Sequence, residues 1–490
     1  MLLSRHYAQD LPEGLSAPLS PTAPAQPSLI ALNEPLARSL GLDPDWLRSP
    51  EGIALLSSGA RPDGKPPVAM AYAGHQFGHF VPSLGDGRAM LVGELTAPDG
   101  TLYDLHLKGT GPTMFSRGGD GYCALGPALR EYLVSDAMAA LGIPTARALA
   151  VLSTGETVER DGQARPGAVV ARVAKSHIRV GTFQYAAAHG GLSTVRALAD
   201  FTIQRLFPEI NPHDPQRYLT MLTQTVHRQA ALVARWMGVG FIHGVLNTDN
   251  CTLSGETLDY GPCAFLDTYD PLKSFSFVDQ HGRYAYGRQP HITLWNLCRL
   301  AECLVPLIDT DEERAIGQVQ DVLKEFDRLF HQEWLTAFRQ KLGLETQHED
   351  DVRLLEHFLS TMHQGDADFT QFFRALSGEA PVLHDNYHAV RETLRHHHGH
   401  MDLCRTELLH RLEKETRSPQ ERHEAMLKTN PRIIPRNHFV EQAIGAAYSG
   451  DMAPFHSLHQ ALRHPFDEAD DGFDLPPTAE EQVTNTYCGT

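Results

Sequence analysis

A histidine, an amide and two carboxylates fall close together in Phe241–Asp267, FIHGVLNTDNCTLSGETLDYGPCAFLD. Asn250 and Asp259 are hard oxygen donors. A divalent cation that carries phosphates keeps several waters and takes only one or two such donors from the protein. Asp249 adds a carboxylate beside the amide, and a carboxylate within reach of a hydroxyl can take its proton. Ser254-Gly255 has the composition of a hairpin turn between Cys251–Leu253 and Thr257–Leu258, with Val245-Leu246 and Ala264-Phe265-Leu266 as apolar anchors. Such a hairpin would bring Asn250 and Asp259 to neighbouring strand ends as metal ligands. The plainer alternative is a loop whose Asp and Asn cap turns.

The spacing matches the catalytic loop of protein kinases, where a His-x-Asp is followed by Asn and then by Asp-Phe-Gly. His243-Gly244, Asn250 and Asp259-Tyr260-Gly261 supply those parts in order. The departure is Val245, which stands where a kinase keeps its proton-accepting Asp and can neither orient nor deprotonate a hydroxyl.

Phosphate needs cations and close backbone approach. Gly85-Asp86-Gly87-Arg88 offers both, since glycine lets the backbone come near and Arg88 brings a guanidinium. Lys108 ends a strand pattern, Leu102–Leu107, that Asp99-Gly100 joins to Met90–Leu95 as a hairpin. A Gly-rich loop, Ser116–Gly121, follows, and Pro127 then opens a helix with Leu129, Leu133, Ala137 and Leu141 as one apolar stripe. Glu131 lies off that stripe. A strand lysine and a helix glutamate one element later pair in kinase folds, so a Lys108–Glu131 pair is expected; the alternative is an exposed ion pair of little consequence. Arg172, Lys175 and Arg179 cluster at the end of another strand pattern, Ala168–Val173, and are expected to neutralise a triphosphate, or else to be a solvated linker.

Four stretches position these residues. Residues 1–66, rich in Pro, Ala and Ser, read as a wrapping N-terminal segment with helical pieces near Leu36–Leu42 and Trp46–Ser57. Residues 67–185 read as a β-rich lobe and 186–345 as a helical lobe holding the metal site. Residues 346–490 form a helical C-terminal region whose acidic end, Asp467–Thr490, is expected to be mobile. An aromatic loop after Tyr269-Asp270-Pro271, through Arg283–Tyr286, is expected to form an ordered flap over the site.

Composition narrows the partners. The 490 residues are 42% hydrophobic and 21% charged, and 42 basic against 60 acidic residues give a net charge of −18. That balance opposes general attraction to nucleic acid or to an anionic membrane surface. No apolar run of about 18 residues suggests a membrane span, and the N-terminus lacks a secretory apolar core, so a cytoplasmic protein is expected. The seven cysteines include no CxxC pair and are too sparse for a disulfide scaffold. His396–His400 reads as a solvated face or helix end.

With these residues in place, the chain resembles the selenoprotein O family, the UPF0061 or YdiU group of protein adenylyltransferases. The resemblance runs through YAGHQFGHFVPSLGDGRA, LKGTGPTMFSRGGDG, ALREYLVSDAMAALGIPTARAL, VVARVAKSHIRVGTFQ and HGVLNTDN…DYGP, and resumes near Pro435–His438. It implies an α+β, two-lobed protein-kinase-like (pseudokinase) fold with an added N-terminal segment and a helical C-terminal region. It also implies that ATP lies inverted relative to kinases, so that AMP passes to a protein Ser, Thr or Tyr hydroxyl with Mg²⁺ or Mn²⁺, and that UTP with Mn²⁺ is a further donor. Gly85, Gly87, Arg88, Lys108, Asp120, Gly121, Arg172 and Arg179 match the family's nucleotide contacts, and Glu131 the partner of the lysine. Asp249 matches the proton acceptor, and Asn250 and Asp259 the metal ligands. Members often carry a cysteine or selenocysteine near the C-terminus, as Cys488 does, but the flap has Ser274-Phe275-Ser276 where a partner cysteine can occur. A redox bridge is therefore not expected, and Cys488 reads as an exposed thiol. The competing functional readings are a nucleotide-binding pseudokinase that acts as an interaction module and, disfavoured by Val245, a phosphoryl-transferring kinase.

Overall fold

Apolar runs punctuated by glycine and proline turns build the first third of the chain into one antiparallel sheet. The computed structural model describes residues 3–160, 162–378, 387–396 and 399–487. Its strands are β1 (Ser16–Pro18), β2 (Ser28–Leu32), β3 (Val68–Met70), β4 (Gly74–Gln76), β5 (His79–Val81), β6 (Ala89–Thr96), β7 (Leu102–Lys108), β8 (Cys123–Ala124), β9 (Arg147–Arg160) and β10 (Gln163–Ala174). The main sheet runs β1-β3-β6-β7-β10-β9-β2, with β8 attached to β10, while β4 and β5 form a separate hairpin. The Asp99-Gly100 turn joins β6 to β7, and Ala89 faces Lys108 across that pair. Val170 of β10 faces Lys108 from the other side. The lysine thus sits in the middle of the sheet.

All of β6 but its last residue is buried, and so are the last eight residues of β10, because helices cover both faces. One face takes the short helices Glu34–Ser39, Pro44–Leu47 and Pro50–Ser58, whose leucines pack against Met90, Val92, Leu105 and Val169. The third of these starts on Ser49, whose hydroxyl accepts from Gly52 N–H, with Pro50 in the first turn, and ends on left-handed Gly59. The N-terminal segment also contributes β1 and β2 to the edges of the sheet.

The other face takes the helix Leu125–Ala140. Behind it lie two helices from far along the chain, Asn437–Tyr448 and Ala453–Leu462, whose Val440, Ile444, Phe455 and Leu458 share its core. The end of the C-terminal region is therefore part of the sheet's packing. A second core joins Gly191–Leu206, Arg217–Gly238, Gln289–Ile308 and Glu312–Lys341, amphipathic helices within the stretch that reads as helical. Between the sheet and these helices runs the short pair β11 (Phe241–Ile242) and β12 (Ala264–Phe265), which frames the central stretch. Among the described residues no helix is long and apolar enough to cross a membrane.

The acidic tail, expected to be mobile apart from whatever holds Cys488, makes specific contacts over its described residues. Arg432 holds Asp471 at 2.7 Å and Asp474 at 3.3 Å, so the negative charge is countered locally. Further on, Thr486 exchanges backbone hydrogen bonds with Phe275 and Phe277 and donates its hydroxyl to the Pro262 carbonyl at 2.6 Å. Tyr487 packs on Phe277 at 5.1 Å between ring centroids. Pairing with the flap through the backbone is what composition could not reveal. Cys488 lies outside the described residues, as do His397 and His398, while His396 and His400 are exposed.

Candidate active site

The anticipated hairpin forms in a reduced version: Cys251 bridges Thr257 across the Ser254-Gly255 turn, and Thr252 bridges Arg179 on the other side. His243 is fully buried, and its Nε2 donates to the Leu258 carbonyl at 2.9 Å, tying the entry of the stretch to the residue before Asp259. It therefore supports the loop rather than facing a ligand. Asn250 and Asp259 both line one cavity of about 480 Å³, together with Val245, Asn247 and Asp249. Asp259 adopts a left-handed φ of +66°, a conformation that Asp tolerates better than most residues and that is a mark of constrained sites.

Lys108 enters from β7. Its Nζ lies 2.7 Å from Glu131 Oε2 and 3.2 Å from Asp259 Oδ1. Glu131 is only 4% exposed, so the Lys108–Glu131 pair is a buried one and not an exposed ion pair of little consequence. Its other oxygen takes Arg172 Nη1 at 3.1 Å. Burial opposes charge on both carboxylates, but for Glu131 the cations Lys108 and Arg172, and for Asp259 Lys108, Arg172 and Arg88, outweigh it and hold each below its ordinary range. Burial likewise pulls Lys108 down, and Asp259 and Glu131 more than restore it. The pair is charged in both members.

Asp249 behaves oppositely. It is 8% exposed, and burial pushes its carboxyl up to about 6 against the smaller pull of its own backbone N–H and Arg179. Its Oδ1 is buried without a hydrogen-bond partner among the described residues, and its backbone carbonyl accepts from Arg179 Nη1 at 2.9 Å. A carboxylate that half-resists ionisation beside one held strongly ionised is how two like groups come to serve different tasks.

The remaining expected residues divide. Gly85, Gly87, Arg88, Asp120, Gly121 and Arg179 line the cavity. At Gly85, whose φ is +61°, a Cβ would run into the Phe115 ring. Asp120 is paired with Arg160 at 2.7 Å at the rim. Arg172 lies behind the cavity wall, against Glu131 and His106, and Lys175 is exposed at the strand end. The expected three-cation cluster is thus split, since alternation along β10 and the turn after it send the three side chains in different directions.

Several lining residues escaped sequence reasoning. Arg160 and Tyr72 line the cavity, and the Arg179 guanidinium lies 4.2 Å over the Tyr72 ring. Tyr284 of the flap hydrogen-bonds Asn247, and Val278 reaches the lining. His106 is two residues before Lys108 and so on the same face of β7, a signal that was available. Asp86, between the two glycines, turns inward to His106 at 3.0 Å.

Residues for a divalent cation fit. Asn250 Nδ2 donates to the Val245 carbonyl at 2.9 Å, which leaves its Oδ1 to the cavity. Asp259 Oδ1 accepts from Lys108 and Gly261 N–H, and Oδ2 has no hydrogen bond among the described residues. No group of three or more His, Cys, Asp or Glu able to hold a metal occurs among those residues, so a cation here would complete its shell with phosphate and water oxygens.

An α+β chain with a cation-rimmed cavity, one depressed and one elevated carboxylate, and two free oxygen donors has the equipment of enzymes that move phosphorus-centred groups. The family model for the protein adenylyltransferase SelO matches residues 5–463. The chain is 52% identical over 483 residues to the protein nucleotidyltransferase YdiU of Rhodopseudomonas palustris (strain BisB5), covering 98% of this chain and 97% of that one. It is 50% identical to the protein of that name from Bradyrhizobium sp. (strain ORS 278), with the same coverage, and 50% identical to that from Rhizobium leguminosarum bv. trifolii, over 98% and 96% of the two chains. The chain belongs to the SelO family, and it is an enzyme of the nucleotidyltransferase class.

Proposed function

We propose that this protein adenylylates other proteins, moving AMP from ATP to a Ser, Thr or Tyr hydroxyl with release of pyrophosphate, and that UTP with Mn²⁺ is a second donor. In this reading the cavity is the cleft of a two-lobed, protein-kinase-like fold, between residues 67–185 and 186–345. The observation that carries it is the exchange of roles in the lining: Val245 occupies the place of a kinase base, while Asp249 sits buried beside Asn250 and Asp259. A base moved along the loop suits a reacting phosphorus moved along the nucleotide.

The acceptor oxygen attacks the α-phosphorus, its proton passes to Asp249, and the bond from the α-phosphorus to the bridging oxygen breaks. The electrons leave with pyrophosphate, whose charge Lys108, Arg88 and Arg179 receive. Glu131 and Arg172 keep Lys108 aimed and charged. Mg²⁺ or Mn²⁺ held by Asn250 and Asp259 would supply further neutralisation of phosphate charge. The net charge of −18 supports an uncharged or basic protein partner and not nucleic acid.

The test is incubation with ATP labelled on the α- or the γ-phosphorus. Label on protein from the α-position alone is expected. Label from the γ-position alone would establish a phosphoryl-transferring kinase, and Mg-ATP binding with neither label transferred would establish an interaction module. Asp249→Asn is expected to lower transfer by roughly 10²- to 10⁴-fold while Mg-ATP affinity, read by calorimetry, stays near that of the unaltered protein.

A further inference from the structure

A series of hydrogen bonds and ion pairs behind the wall of the cavity links the Asp259 carboxylate to the backbone of Asp249. Asp259 meets Lys108, Lys108 meets Glu131, and Glu131 meets Arg172. From there Arg172 Nη2 and Nε lie 3.3 and 3.4 Å from His106 Nδ1, and His106 Nε2 lies 3.0 Å from Asp86 Oδ2. Asp86 Oδ1 is 3.8 Å from Arg179 Nη2, and the other guanidinium nitrogen of Arg179 reaches the Asp249 carbonyl. Only His106 in this sequence must both accept and donate.

Its tautomer follows from its neighbours. Arginine never accepts a hydrogen bond, so Nδ1 must offer its lone pair to Arg172, and the ring proton must be on Nε2, directed at Asp86. The ring is fully buried and stacked on His177 at 4.3 Å and 17°, and His177 is fixed in turn by Asp104 at 3.2 Å. Asp86 belongs to the Gly85–Arg88 turn. It accepts from Met70 N–H at 3.0 Å, and its carbonyl accepts from Thr113 at 2.7 Å. Whatever orients His106 therefore orients the turn that carries Gly85, Gly87 and Arg88 to the cavity.

We propose that His106 is a positioning residue of this site, a neutral imidazole that holds the Arg172–Glu131–Lys108 side in register with the Asp86 turn and Arg179. The role rests on the nucleotidyltransferase reading for its chemistry, but its effect on nucleotide binding does not need transfer to be seen. Enzymes with metal sites lose about 10- to 100-fold in activity or metal affinity when the outer partners of their ligands are removed.

The test compares His106→Phe, which keeps a ring on His177 but makes neither bond, with His106→Gln, which can still donate to Asp86, and His106→Asn, which can still accept from Arg172. His106→Phe is expected to lower kcat for AMP transfer by 10- to 100-fold, raise KM for ATP and weaken Mg-ATP binding about tenfold. The two amide variants are expected to fall between it and the unaltered protein. Should His106→Phe fail to fold, the amide variants carry the comparison. Folded Gln and Asn variants with unaltered kcat, KM and Mg-ATP affinity would overturn the proposal, as would losses that follow the folded fraction alone. If the unaltered protein transfers no AMP, the functional reading fails and the Mg-ATP affinities decide the role of His106 by themselves.

Discussion

Lys108 and Lys341 are each 4% exposed, yet one lies between two carboxylates and the other over the rings of Phe373 and Phe369, with Nζ at 4.5 and 5.5 Å from their centroids. Desolvation penalises both charges. At Lys108 the nearby Asp259 and Glu131 reverse the penalty and raise the amine above its ordinary value. At Lys341 nothing does, and burial pushes it down to about 7. The contrast shows where the chain invests in keeping a charge: beside the cavity, at the cost of burying further ions, and not in the helical core around Phe369 and Phe373.

Breaking the cavity side of this comparison has the largest expected effect. Asp259→Ala removes a counter-charge of Lys108 and one of the two proposed metal oxygens, and transfer of α-label to protein should fall by roughly a thousandfold or more. Lys108→Met leaves Glu131 and Asp259 facing each other's charge with only arginines to answer. Transfer should fall by roughly a hundredfold or more, and stability in chemical denaturation should fall by about 3 kcal/mol, less to the extent that solvent in the cavity screens Asp259.

The same substitution in the helical core should do the reverse. The unfolded chain binds a proton at Lys341 up to its ordinary pKa near 10.5, whereas the folded chain releases it near 7. Between those values the unfolded state holds more protons, so this lysine's penalty is full at and below pH 7 and shrinks as pH rises. Lys341→Met should therefore raise the thermal midpoint at pH 7, by a free energy on the order of a few kcal/mol, and the gain should narrow by pH 9.5. Transfer activity should be unchanged. A midpoint that falls at pH 7 would mean that the contacts of the ammonium with the two rings outweigh its desolvation.

How much of this the sequence discloses depends on the range of the contact. The β6–β7 hairpin, the helix of Glu131 and the proximity of Asn250 to Asp259 are set by turn residues and periodicity over a few positions, and all were legible. The burial of Glu131 was not, since it depends on the docking of its helix against Lys108 and Arg172, which stand on two different strands. Arg172 and Lys175 looked equivalent to Arg179 in a linear cluster, because side-chain direction at a strand end is set by pairing with β7. Asp86 had no role of its own in the reading of the Gly85–Arg88 turn, and only its partner His106, on β7, explains why an acid stands among phosphate-facing residues. The tail's attachment to Phe275–Phe277 is made by backbone groups, which composition does not record.

The measurement that bears most directly on the proposed chemistry is the position of the α-phosphorus in a complex with Mg²⁺ and a non-hydrolysable ATP analogue. It is expected next to Asp249, on the side of the cavity lined by Asn250 and Asp259, with the outer phosphates toward Lys108 and Arg88. A γ-phosphorus next to Asp249, with the α-phosphorus deeper in the cavity, would contradict the account.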